Sequence, residues 1–214
     1  FIEAAFRRTC LGWGYQEVRT PVLEYLHLFT ATGTLTPQML NRVYSFLDWD
    51  GWSGERVVLR PDATIPAARL FLAEMKDRPG AKLFYLLDVF SFEETGREPR
   101  ERWQAGAELI GTPSPQGDAE LVMLGREVLK QVGLGEVEVH LAHLGLIAAL
   151  VSRLGLEEDE LYHLANGGKT LLEVVKDRHP DLVPALSLLF GLQGDSPALV
   201  RNLQTALLPL LPEL

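Results

Sequence analysis

The chain has 214 residues, 20 basic and 29 acidic, a formal net charge of −9, 47% hydrophobic residues and one cysteine. That length suits one large domain or one and a half ordinary ones, and the apolar fraction excludes disorder as the main state. One cysteine excludes a disulfide scaffold or Cys-rich zinc site and suits the cytoplasm; the acidic balance speaks against a nucleic-acid partner, and no apolar run reaches the roughly 20 residues that span a membrane.

Phe1, Ile2, Ala5, Phe6 and Cys10 fall at helical spacing with no cap before them. This predicts the later part of a helix. With the Pro-punctuated run 207–214, it predicts a fragment of a longer protein. Gly12-Trp13-Gly14 ends the helix, Tyr15–Thr20 reads as a short strand stopped by Pro21, and Tyr25–Ala31 as a short helix. Arg42–Asp50 alternates with strand period, residues 50–54 make a hairpin connection, and Glu55–Arg60 returns. Pro61-Asp62-Ala63-Thr64 opens a helix to about Lys76, with Asp62 or Thr64 as its cap.

Lys82–Phe92 is a long apolar run, the mark of a buried central strand. A polar loop, Glu93–Arg102, precedes a strand at Trp103–Gly111. Asp118–Val132 is an amphipathic helix with Leu121, Leu124, Val128 and Leu129 inward, and Glu136–Leu144 one more strand. After residue 144 the alternation stops, and Leu, Ala and Glu broken by Gly and Pro predict a set of short helices. The expected fold class is α+β: a mixed, mainly antiparallel sheet flanked by helices over 1–144, then a helical segment over 145–214.

Gln104, Gly106 and Glu108 share one face of their strand, with Ala105, Ala107 and Leu109 on the other. Such a face is either solvated or lines a polar pocket, and the pocket is the favoured reading. Gly106 would leave room there for a ligand. His140 and His143 point to opposite faces of their predicted strand and make a poor metal pair, while His27, His163 and His179 have no partner in sequence. Cys10 sits on an apolar helix face as a core residue.

Four stretches, in this order, carry a resemblance: Gly14–Glu24, Leu59-Arg60-Pro61-Asp62-Ala63-Thr64 with Ala68-Arg69, Asp88–Glu94, and Trp103–Gly111. They resemble the class II aminoacyl-tRNA synthetase catalytic core, in its histidyl branch. Gly14–Glu24 looks like the first motif, at the dimer interface. Phe90–Glu93, the loop and Trp103–Gly111 look like the second. The forms Arg-Pro-Asp-x-Thr and Gln-Ala-Gly-x-Glu-Leu-Ile-Gly, with 118–122 and 142–146, are similar to the branch's non-synthetase members, the regulatory subunits of ATP phosphoribosyltransferase.

The resemblance implies a non-catalytic regulatory subunit, required for the first step of histidine biosynthesis and its feedback regulation by histidine. It implies a catalytic ATP phosphoribosyltransferase subunit as partner, a homodimer within a hetero-oligomer, and no cofactor or metal. The third motif has no match in these residues. By motif position Asp62, Thr64, Gln104 and Glu108 correspond to histidine-binding residues: Asp62 for the α-ammonium, Thr64 and Gln104 as neutral acceptors, Glu108 for an imidazole N–H. Ser91 follows Phe90 where synthetases carry an arginine on the ATP α-phosphate. A hydroxyl cannot replace a bidentate guanidinium there, which disfavours the alternative, a diverged or truncated histidyl-tRNA synthetase. Arg97, Arg100 and Arg102, among Glu93, Glu94, Glu98 and Glu101, read as a solvated loop.

Overall fold

The computed structural model describes residues 1–32, 35, 40–49, 54–93, 95–140, 145, 149, 152–156, 171–191 and 197–208. They fall into two compact units, Phe1–Glu138 and Val139–Leu214.

In the first unit, helix α1 (Ile2–Gly12) buries Ala5, Thr9 and Cys10 along one face and starts without a side-chain cap. Gly14, at φ 82°, turns the chain into strand β1 (Gln16–Glu17), a backbone state that an L side chain would strain. Strand β2 (Leu23–Tyr25), helix α2 (Leu26–Ala31), strands β3 (Ser45–Trp49) and β4 (Gly54–Leu59), and helix α3 (Thr64–Glu74) follow. Strands β5 (Ala81–Phe90) and β6 (Glu101–Ile110) and helix α4 (Pro115–Gln131) complete the unit.

The strands form two three-stranded sheets, ordered β1-β5-β6 and β2-β4-β3. β1 runs parallel to β5, and the other pairings are antiparallel. β5 is central and apolar on both faces because both are covered. Leu83, Tyr85, Leu87 and Val89 face a core with Val18, Ala63 and Ala67, against which Leu70 and Phe71 of α3 pack. Phe84 faces the other way, onto Cys10, Tyr15 and Leu124 of α1, the following turn and α4. Covered on both sides, the strand reads as a continuous hydrophobic run. The second sheet has its own core of Phe29, Leu35 and Val58.

Arg60, 3% exposed, ties the two sheets together. Its guanidinium donates to the carbonyls of Asp88 (2.7 Å), Thr20 (2.7 Å) and Pro21 (2.9 Å). Its backbone N–H donates to Val22 O at 2.9 Å, and its carbonyl accepts from Phe90 N–H at 3.0 Å. Burial depresses this guanidinium from its usual pKa. Glu24, whose side chain is fully buried, pairs with Arg69 of α3 at 2.9 Å.

The second unit contains helices α5 (Leu171–Arg178), α6 (Val183–Gly191) and α7 (Pro197–Leu207), with a 3-10 turn at Pro180–Leu182. Leu154, Val175, Leu182 and Leu186 form its core. Short helices were expected here.

Several local expectations are corrected. β1 is two residues long, because past Glu17 the chain offers β5 one further bond, from Val18 N–H to Phe84 O. β6 starts at Glu101, two residues earlier than expected, because Glu101 and Arg102 pair with Phe90 and Val89. Leu129 is 36% exposed and does not face inward; Leu124 fills that core at 2%. Residues 136–140 form no strand, and 141–144 lie outside the described residues, as do the hairpin residues 50–53.

Candidate functional site

The four candidate residues meet where the start of α3 lies over β6. Asp62 Oδ1 accepts from the Thr64 backbone N–H at 2.8 Å. Its Oδ2 accepts from Gln104 Nε2 at 2.7 Å. Gln104 Oε1 in turn accepts from the Ala63 N–H at 2.9 Å. The first amides of α3 are thus satisfied by a preceding carboxylate and by a side chain from the sheet. Ala63, not Asp62 or Thr64, holds the cap position and supplies no side-chain bond. Gln104 acts here as a clamp between strand and helix, beyond its expected role as a ligand acceptor.

The other half of the corner centres on Tyr85, which sequence reasoning missed. Its hydroxyl donates to Glu108 Oε1 at 3.1 Å and lies 3.2 Å from Thr64 Oγ1. A phenol has one proton. With that proton directed at Glu108, the Thr64 hydroxyl donates to Tyr85. Burial pushes the Glu108 carboxyl above its ordinary value, and the nearby Asp62 charge adds to this; the neighbouring Thr64 and Tyr85 hydroxyls oppose it, Tyr85 by its direct bond. Burial likewise raises the Tyr85 phenol. The result is a polar line from Asp62 to Glu108, with an amide and two hydroxyls between two carboxylates. Such an array can hold a cation at one end and an N–H donor at the other.

Gly106 has a different part from the one expected. In register it lies opposite Tyr85, and a Cβ built on it would overlap the Tyr85 ring. The space its missing side chain leaves is occupied by the tyrosine. The sequence signal for Tyr85 was a glycine opposite a tyrosine, visible only once the strand register is known.

Ser91 follows the last residue of β5, and its backbone N–H donates to Arg100 O at 3.0 Å. Arg100 donates twice to Glu93 O (3.0 and 2.7 Å) and stacks over Phe92 at 5.2 Å. Glu93 accepts from Thr95 Oγ1 at 2.6 Å and from the Arg97 N–H at 3.0 Å, and the Thr95 hydroxyl leads in holding its pKa at about 2. The loop folds on its own polar groups while Arg97, Arg100 and Arg102 remain exposed. His27 stacks on Tyr25 at 5.5 Å, and Cys10 is fully buried, which pushes its thiol up to about 11. His143, His163 and Glu94 lie outside the described residues. Among the described residues no three His, Cys, Asp or Glu side chains are grouped to hold a metal. No helix among them is long and apolar enough to cross a membrane.

The model of the histidyl-tRNA synthetase family matches residues 2–213. The chain belongs to the histidyl-tRNA synthetase family. Within that family, an ATP phosphoribosyltransferase regulatory subunit of Dehalococcoides mccartyi is 50% identical over 206 residues, covering 94% of this chain and 50% of the relative. A histidine–tRNA ligase of Archaeoglobus fulgidus is 36% identical over 157 residues, covering 72% of this chain and 37% of the ligase. The chain spans about half the length of the curated regulatory subunits it matches. A crystal structure of an ATP phosphoribosyltransferase regulatory subunit/histidyl-tRNA synthetase from Bacillus halodurans superposes with a TM-score of 0.70 at 26% identity, over 96% of this chain and 54% of that one. The class II synthetase fold expected from the motifs is therefore the fold of this chain, and the resemblance to the regulatory subunits holds.

Proposed function

We propose that this chain is part of a non-catalytic regulatory subunit of ATP phosphoribosyltransferase, required for the first step of histidine biosynthesis and for its feedback regulation by histidine. The observation that carries this is the 50% identity to curated regulatory subunits over 94% of the chain. Ser91 supports the non-catalytic reading. It stands where the family motif has its phosphate-binding arginine, and a hydroxyl offers no paired N–H donors to a developing phosphoryl charge.

Histidine is the proposed effector, held in the corner of Asp62, Thr64, Gln104 and Glu108. Each Asp62 oxygen accepts one bond and has capacity for another, which suits an α-ammonium. Glu108 suits an imidazole N–H, with Tyr85, itself held by Thr64, orienting its carboxylate. The proposed partners are the catalytic subunit and a second copy of the chain. Val22, Leu23 and Tyr25, 43%, 47% and 42% exposed, supply apolar surface for that copy beside the first motif. The cytoplasm is the compartment in which this pathway step belongs.

Two measurements on the full-length protein test the reading. Co-purification with the catalytic subunit, and histidine-sensitive phosphoribosyltransferase activity of the pair, is the expected result. Histidine-dependent exchange between pyrophosphate and ATP by the protein alone would overturn it in favour of a synthetase.

A further inference from the structure

An open polar cleft of about 490 Å³ lies at the end of the first sheet where β1, the start of β5 and the end of β6 meet. It is separate from the Asp62–Glu108 corner. Lys82 and Leu109, which line it, are a cross-strand pair on the β5–β6 face opposite that of Glu108 and Tyr85. Its lining includes Arg78, Lys82, Gln16 and Thr112 and contains no carboxylate. The lining carries two cations, and the nearest carboxylate bonded to either of them is Glu120, behind Lys82 and outside the lining.

The two cations are differently prepared. The Arg78 guanidinium has no hydrogen bond or ion pair among the described residues. Lys82 is held in place: its ammonium donates to Glu120 Oε1 at 2.6 Å and lies 5.5 Å from the centre of the Tyr15 ring. Glu120 is itself anchored by the hydroxyl of Tyr15, 2% exposed, at 3.0 Å. An ammonium has three donors, so two remain beyond the bond to Glu120. Part of the wall is bare backbone. A Cβ on Gly80 would overlap Ile110 O, and one on Gly111, at φ 83°, would overlap Pro79 O. Leu83, Leu109 and Ile110 supply apolar lining beside the polar groups.

The geometry points to a binding site for a phosphorylated small molecule. A free guanidinium donates to two phosphate oxygens in a fork, the ammonium held by Glu120 keeps two N–H donors for a third, and Thr112 and Gln16 complete the donor set. The apolar wall contacts the carbon part of the ligand, and the volume lies within the roughly 300–1,000 Å³ of small-molecule sites. This site stands independently of the histidine reading.

The test is calorimetric titration of the full-length protein with inorganic pyrophosphate and, separately, with malonate, at constant ionic strength. Pyrophosphate is expected to bind at millimolar concentration or better, and malonate more weakly. Arg78→Gln, a change at a partnerless exposed side chain, is expected to weaken pyrophosphate by about three- to tenfold, and addition of Lys82→Met by more than tenfold, since about 1.4 kcal/mol corresponds to ten. An unchanged melting temperature in Arg78→Gln confirms that the loss is local. No pyrophosphate binding by the wild type, equal binding by Arg78→Gln, or malonate binding as tightly as pyrophosphate would each overturn the assignment.

Discussion

Replacing Gly106 by alanine tests the architecture of the candidate site directly. The new Cβ would overlap the ring of Tyr85, which is 2% exposed and has Leu83, Leu87 and Ala67 in its core. The ring has to move, and interiors close-packed to this degree resist such movement at about 1–3 kcal/mol. Displacing the hydroxyl breaks its bonds to Glu108 and Thr64, each contributing about 0.5–1.5 kcal/mol. Against this, alanine reduces the freedom of the unfolded chain, a gain of about 0.4–1 kcal/mol. The expected net loss is about 1–5 kcal/mol, read as a lowered midpoint of urea unfolding at unchanged slope. The decisive control is a double-mutant cycle with Tyr85→Leu, which removes the obstructing ring. Gly106→Ala should cost far less in that background. A loss below about 0.5 kcal/mol in the wild-type background, or one equally large after Tyr85→Leu, would refute the account, because surface-like changes fall within that range.

Arg60→Met leaves one buried and two part-buried carbonyls without this donor and is expected to destabilise the full-length protein by about 2–5 kcal/mol, with Arg60→Lys in between; urea unfolding measures both. Asp62→Ala is expected to weaken histidine binding by more than tenfold in calorimetry, and Asp62→Asn, which keeps the shape and removes the charge, by a similar factor. Glu108→Gln should weaken histidine more than it weakens an amino acid without a ring N–H. The same variant has a pH signature. The folded chain holds the Glu108 proton to higher pH than the unfolded chain, so the wild type loses stability as pH rises from the ordinary 4.5 through the raised value. Glutamine lacks that loss. The stability of Glu108→Gln relative to the wild type should therefore climb across that window and then level off, and a flat or falling difference in urea unfolding would contradict it.

Much of this was legible in the residues alone. The apolar run over Lys82–Phe92 announced a buried central strand, and the α1 and α4 patterns announced helices with an apolar face, which the structure packs on one side of it. The polar side chains of Gln104 and Glu108 on one strand face, with Asp62 and Thr64 at a helix start, marked the candidate site, and the structure brings all four together. These are local signals, because side-chain periodicity and cap chemistry depend on neighbours in sequence. The partners across the fold were not legible. Tyr85 lies within an apolar run like any core aromatic, and only its pairing with Gly106 places its hydroxyl between Thr64 and Glu108. Gln104 serves as the clamp on α3 because β6 passes under that helix, 42 residues from Asp62 in sequence. Arg60 is a surface-type residue by composition, and its burial depends on carbonyls from Thr20, Pro21 and Asp88 converging on it. Sequence periodicity tells which face a side chain occupies; strand register and sheet order decide what stands opposite, and that is where a tyrosine became part of a site and a glycine became its seat.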